Sequence, residues 1–256
     1  MSTRSNGGAG RARRPRTVAV ALAVLGVAVS VALPSSAPRS SCPPDQERAS
    51  AATARALAAG SRVLVIGDSY TRGRGSSDGM TGWAQMLSAD SGWDSTIDGR
   101  PGTGYANPGP SRSRSDTYLP RIVADAEADP DLVIVQGSQN DWTVGEADLR
   151  RRVEETLRQA VAQWPRALLV AIGPSAPRPR ADSTGSIDAA VRAGARSAGV
   201  PYIDPVAEHW FTSVNSPAYA ASDGEHLNDA GYRYLARRID AALRSVGTTS
   251  PECRAR

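Results

Sequence analysis

The chain has no lysine; all 30 of its basic residues are arginine, set against 26 acids. That absence removes whole classes of chemistry. A Schiff-base lysine, a Ser–Lys hydrolase dyad and a Walker-type phosphate lysine are all excluded. Cysteine and histidine are scarce as well, at two residues each in 256. Cys42, Cys253, His209 and His226 are too scattered for metal-ligand spacing, so no metal is expected. Any mechanism that needs an imidazole base must choose between His209 and His226. The single phenylalanine, Phe211, and a 99–115 loop rich in Gly, Pro, Ser and Arg speak against an extensive apolar lid.

Long apolar runs are also absent, with one exception at the N-terminus. Residues 17–33 form a 17-residue uncharged apolar stretch, preceded by Arg4, Arg11, Arg13, Arg14 and Arg16 and followed by PSSAPRSS. This is the layout of a secretory signal peptide over residues 1–37, with Ser35-Ser36-Ala37 as the small-residue cleavage site. The run is at the short limit for crossing a bilayer, so an uncleaved N-terminal anchor is the alternative. Either way the protein is expected outside the cytoplasm, secreted or held at the cell envelope. The leader carries five arginines and no acids, so its removal takes the net charge from +4 to −1. No nucleic acid partner is expected. In an exported chain the even pair Cys42 and Cys253 reads as one disulfide joining the ends. The chain-entropy model allows such a long loop up to about 5 kcal/mol.

Beyond the leader, 38–60 reads as an N-terminal segment with an alanine-rich helix over 47–60. Strand and helix patterns then alternate. Short β-branched apolar runs predict buried strands at 62–67, 131–137 and 167–173, with lesser strands near 95–97 and 200–204. Helices are predicted over 82–92, 118–128, 146–164, 187–198 and 228–246. The alternation implies a parallel sheet covered on both faces, with ligand sites outside the carboxyl ends of its strands. The unusual loops fall there: GDSY after the first strand and GSQND after the second long one.

GDSY admits two readings. Glycine loops between strand and helix bind phosphate, but GDSYTRGRG matches neither phosphate-loop pattern and its acid would repel an anion. The other reading presents Ser69 as a nucleophile, which needs a histidine oriented by a carboxylate. His226 has Asp223 three residues before it, in a turn just ahead of a helix. His209 has only the adjacent Glu208, and reads as a surface or packing residue. Acyl transfer also needs donors for the developing oxyanion, and Asn140 at the end of a buried strand supplies one.

Gly67-Asp68-Ser69, a middle glycine loop, Asn140-Asp141 and Asp223-x-x-His226 together resemble the four sequence blocks of the SGNH hydrolases, the GDSL esterases and lipases. The resemblance spans roughly residues 60–246 and assigns 61–248 to the hydrolase domain, with 249–256 as a tail. It implies a flavodoxin-like three-layer α/β/α sandwich with a central parallel sheet. By the same resemblance Ser69 is the nucleophile, His226 the general base and then acid, and Asp223 the residue that orients it. The oxyanion donors are the Ser69 N–H, a glycine N–H and Asn140; the glycine is Gly102, with Gly104 as runner-up. Three positions depart from the pattern: Tyr70 replaces the leucine of GDSL, Ser138 replaces the third-block glycine, and Leu227 replaces the proline after the histidine.

Tyr70 and Trp142 are expected to line the substrate site, with Trp210 and Phe211 either lining it or packing the loops. Trp83 and Trp164 read as core. Arg72 and Arg74 offer attraction for an anionic substrate. The implied activity is that of an exported monomeric serine esterase without a cofactor. Its substrate is a small-molecule or polysaccharide ester, short acyl or O-acetyl groups being favoured and lipid esters also fitting. An acyltransferase with the same triad, and a carbohydrate-binding protein on a silent scaffold, are the alternatives.

Overall fold

The structure is a computed structural model and describes residues 44–246. The expected leader with its cleavage site, the expected Cys42–Cys253 pair and the expected 249–256 tail lie outside the described residues. Five strands form one all-parallel sheet in the order β2-β1-β3-β4-β5. They are β1 (Arg62–Gly67), β2 (Asp94–Gly99), β3 (Leu132–Gln136), β4 (Leu168–Ile172) and β5 (Tyr202–Ile203). The helices are α1 (Pro44–Ala56), α2 (Ser69–Arg72), α3 (Trp83–Ser91), α4 (Tyr118–Ala124), α5 (Glu146–Gln163), α6 (Gly185–Ala198), α7 (Ser216–Tyr219) and α8 (Asp229–Leu243).

The central strands β1, β3 and β4 are apolar at consecutive positions because each face of the sheet meets its own helical layer, whereas the edge strand β2 is largely polar. Val63, Val65, Leu132, Ile134, Val170 and Ile172 pack with Trp83 and Leu87 of α3 and Leu235 and Ile239 of α8. Leu64, Ile66, Val133, Val135 and Ala171 face the other way, onto Ile122 of α4, Val153 and Leu157 of α5 and Val191 of α6. The result is a three-layer α/β/α sandwich. After β1 the chain steps out to β2 and then returns to pair β3 on the opposite side of β1. That reversal opens a crevice at the carboxyl ends of β1 and β3, where open parallel sheets bind ligands.

Several boundaries differ from the expectations. The helix expected over 118–128 ends at Ala124, because the amide of Asp125 closes on Arg121 and Ile122. The 200–204 strand contributes two paired residues, and the one near 95–97 extends over all of 94–99. GDSY is more than a loop, since Ser69–Arg72 forms a helical turn. The 99–115 stretch is not wholly a surface loop: Thr103 and Tyr105 are buried, held by Asp141 and Arg121.

Candidate active site

Ser69 opens α2 directly after β1. Asp68 caps that helix, its Oδ1 accepting the Tyr70 N–H at 2.9 Å, and Gly73 ends it in a left-handed conformation. The tight turn sets Ser69 at the crevice, only 5% exposed. His226 and Asp223 come from the loop between α7 and α8. That loop is closed by a bridge between Ala220 and Leu227 and by Asn228, which accepts the Gly231 N–H while donating to Ala218 and Ala220 carbonyls. Within it, Asp223 Oδ1 accepts the N–H groups of Glu225 and His226, each at 2.9 Å.

His226 Nε2 lies 2.9 Å from Ser69 Oγ, and His226 Nδ1 lies 2.7 Å from Asp223 Oδ2. A carboxylate partner fixes the proton on Nδ1 and leaves Nε2 as the acceptor for the serine hydroxyl. The arrangement therefore holds a base within hydrogen-bond reach of a hydroxyl, the geometric requirement for activating serine. Tyr70 steadies the loop from below. Its hydroxyl donates to the Glu225 carbonyl and its ring lies 5.4 Å from the imidazole.

On the other wall, Asn140 sits in a 3-10 turn capped by Ser138, whose Oγ accepts the Asn140 N–H at 3.0 Å and donates to the Thr103 carbonyl at 3.1 Å. Ser138, standing where the resembled family has glycine, thus ties the third block to the glycine loop. Asn140 Nδ2 donates to Thr103 O at 2.9 Å and makes a longer 3.3 Å contact with Asp68 Oδ2. The two candidate glycines separate cleanly. The Gly104 N–H is occupied by the Asn107 carbonyl, and a Cβ there would lie 2.4 Å from Asp141 Oδ2. Gly102, at φ +78°, lines the cavity beside Ser69, and neither its N–H nor that of Ser69 has a partner among the described residues.

Two buried carboxylates underlie this wall. Asp141 accepts the N–H groups of Tyr105, Ala106 and Asn107, and so folds the glycine loop against the turn that carries Asn140. Burial raises its pKa against the opposing pull of those amides. Asp68 is fully enclosed, and burial pushes it up to about 7; the Tyr70 N–H opposes the rise, Asp141 adds to it and Arg121 opposes it. Between its ordinary value and about 7 the folded protein keeps a proton that the unfolded chain has lost. Asp68 therefore favours folding less and less as pH climbs through that window. Asp68→Asn has nothing to titrate. Its unfolding free energy relative to the parent should shift in its favour by up to about 4 kcal/mol between pH 4 and 8. Paired urea titrations across that range check this, and a pH-independent difference would contradict it.

These groups surround a cavity of about 250 Å³, lined by Ser69, His226, Gly102, Asn140, Tyr70, Gln139, Arg74 and Arg180, among others. A larger cavity of about 360 Å³ opens at the amino ends of the strands, around Arg62 and Asp129, and contains neither serine nor histidine. Tyr70 is at the cavity, although it is 2% exposed and mostly supports His226. Trp142 is not: it is 68% exposed and off the cavity, because Asp141 takes the inward position on the turn and the next side chain points to solvent. Trp210 and Phe211 are core residues, as are Trp83 and Trp164. His209 is exposed and away from Ser69. Of the two expected arginines only Arg74 reaches the cavity.

Sequence reasoning missed Arg121, Gln139 and Arg180. Arg121 had a signal, since Tyr118, Arg121 and Ile122 fall on one helical face and all three are buried. Gln139 and Arg180 had none, because their approach to the site depends on the path of two irregular loops.

The GDSL-like Lipase/Acylhydrolase family model matches residues 65–234. A GDSL lipase of Mycobacterium tuberculosis is 37% identical over 191 residues, covering 69% of this chain and 79% of its own. In fold, the chain is similar to an aryl esterase of M. smegmatis, with a TM-score of 0.55, 18% identity and coverage of 73% and 99% of the two chains. It is also similar to a carbohydrate esterase family 2 enzyme with a carbohydrate-binding domain from Corynascus thermopiles, with a TM-score of 0.53, 18% identity and coverage of 73% and 67%.

Proposed function

Because the chain belongs to the GDSL-like lipase/acylhydrolase family and is an SGNH-type carboxylic ester hydrolase, we propose that it is an exported serine esterase using Ser69, His226 and Asp223. The observation that carries this reading is His226 spanning the gap between Ser69 Oγ and Asp223 Oδ2 at 2.9 and 2.7 Å, beside two backbone N–H groups with no partner among the described residues.

Ser69 Oγ attacks the ester carbonyl carbon while His226 Nε2 takes its proton. The carbonyl oxygen becomes an oxyanion facing the N–H groups of Ser69 and Gly102 and the Asn140 amide. The long contact from Asn140 to Asp68 is the one the oxyanion replaces, since a charge-assisted bond outcompetes a 3.3 Å contact. Collapse of the intermediate breaks the bond to the alcohol oxygen, which leaves with the proton from His226. Water then repeats the sequence on the acyl-enzyme, releasing the acid and restoring Ser69. The leader supports export, and the cavity of about 250 Å³ supports short acyl or O-acetyl groups over long chains.

Two measurements test this. Among p-nitrophenyl esters from acetyl to dodecanoyl, the purified protein should turn over the two- to four-carbon acyl groups best. A fluorophosphonate should abolish that turnover at one equivalent, with the adduct mapped to the Ser69 peptide. Modification elsewhere, or turnover persisting in the modified protein, would refute the assignment.

A further inference from the structure

Some arginines near the carboxyl ends of the strands have carboxylate partners. Arg100 pairs with Asp98 and Asp116, Arg121 with Asp98, and Arg178 with Asp182. Arg72, Arg74, Arg112, Arg114 and Arg180 have none among the described residues, and of these only Arg74 and Arg180 reach the catalytic cavity. Both line the catalytic cavity, from opposite loops, and neither guanidinium is in an ion pair among the described residues. Arg180 makes one long contact, Nη2 to the Gln139 carbonyl at 3.4 Å. Glu225 also lines the cavity and, like Arg74, is exposed, but it pairs with neither arginine.

Gln139 lines the same cavity, but it is 3% exposed and its amide is enclosed against the Tyr70 phenol, so the two arginines are the cationic donors there. Two guanidinium groups without ion pairs make a donor-rich pocket suited to an anionic oxygen group.

We infer that the substrate is an anionic ester, carrying a carboxylate or phosphate on its acyl or alcohol part that Arg74 and Arg180 bind while Ser69 meets the carbonyl. This rests on the esterase reading and narrows its substrate class.

The test uses the full-length purified protein and two matched ester pairs. p-Nitrophenyl hydrogen adipate against p-nitrophenyl hexanoate places the charge on the acyl side, after correction for spontaneous hydrolysis. 4-Acetoxybenzoate against its methyl ester places it on the leaving group. In at least one pair the anionic member should have the higher kcat/KM, by roughly 10-fold for one charge-assisted contact. That ratio should fall about 10-fold in Arg74→Gln or Arg180→Gln, mainly through KM, and Arg180→Lys should recover part of it. Arg72→Gln, an exposed arginine off the cavity, should leave the ratio unchanged, which separates local recognition from general charge. The pair that responds identifies which side of the ester carries the anion. Serine-dependent hydrolysis with no anionic preference in either pair, or a preference that survives the Arg74→Gln/Arg180→Gln double variant, would overturn the inference while leaving the esterase intact. Absence of serine-dependent hydrolysis for all four esters would overturn both.

Discussion

Ser69→Ala should lower kcat/KM for p-nitrophenyl acetate by about 10⁴-fold or more, with the fold unchanged by circular dichroism. In the proposed mechanism the hydroxyl forms the acyl-enzyme, and among the described residues no other serine lines this cavity. His226→Ala should cost a similar factor, and the double variant little beyond either single one, because the two residues act as a unit. Asp223→Asn should be milder, at roughly 10²-fold, well short of the loss seen where the third residue is deeply buried. The reason is geometric: the Asp223 carboxylate is 43% exposed, so water can stand in for part of its role. Burial alone would raise its pKa, but the His226 N–H, the His226 ring and the Glu225 N–H outweigh it and hold the group at about 2. A depressed carboxylate contributes to stability above its unfolded pKa and loses that contribution as pH falls through about 2. Any acid limb of the pH–rate profile above about pH 4 must therefore come from another group. Equal losses in all three single variants would show that Asp223 does more than orient the imidazole.

Much of this site was legible in the sequence, for identifiable reasons. Ser69 and Asn140 follow closely on strand ends and His226 comes just before the start of α8, where strand patterns and helix starts locate them, with Asp223 three residues earlier in the same loop. The sheet was legible because strands buried on both faces have no polar positions, as in Val63-Leu64-Val65-Ile66. Legibility ended where irregular loops set the geometry. The choice between Gly102 and Gly104 turned on one hydrogen bond, from the Gly104 N–H to the Asn107 carbonyl, which no spacing rule encodes. Trp142 was misplaced because proximity in sequence to Asn140 does not specify which way a side chain leaves a 3-10 turn. Arg180 reaches the cavity from the segment between β4 and α6, more than one hundred residues after Ser69.

Arg121→Met should be the most destabilising single change near the site, although Arg121 does not touch the cavity. Its guanidinium is 1% exposed and sits under the carboxyl end of β1. It donates to Asp98 Oδ2 at 2.8 Å, to the Gly67 carbonyl at 3.1 and 3.2 Å, to Thr103 Oγ1 at 3.1 Å and to the Asp98 carbonyl, and it lies over the Tyr118 ring. Gly67 precedes Asp68-Ser69 by one residue, and Thr103 follows Gly102. One cation thus ties the nucleophile turn, the β2 end and the glycine loop to α4. Methionine fills much of the volume but leaves those acceptors unpaired, and breaking a buried ion pair from one side costs about 3–5 kcal/mol. For a domain of this size that corresponds to a melting temperature lower by roughly 10 °C or more. Asp98→Asn combined with Arg121→Met should recover part of the loss, because the carboxylate left behind is then neutral. The surviving folded protein should also lose kcat more than it gains KM, since the Ser69 and Gly102 N–H groups would no longer be held toward one point. If Arg121→Met melts within about 2 °C of the parent, a loss below roughly 1 kcal/mol, the guanidinium is a passenger, and the loops around Ser69 must be held by Asp141 and Asn107 alone.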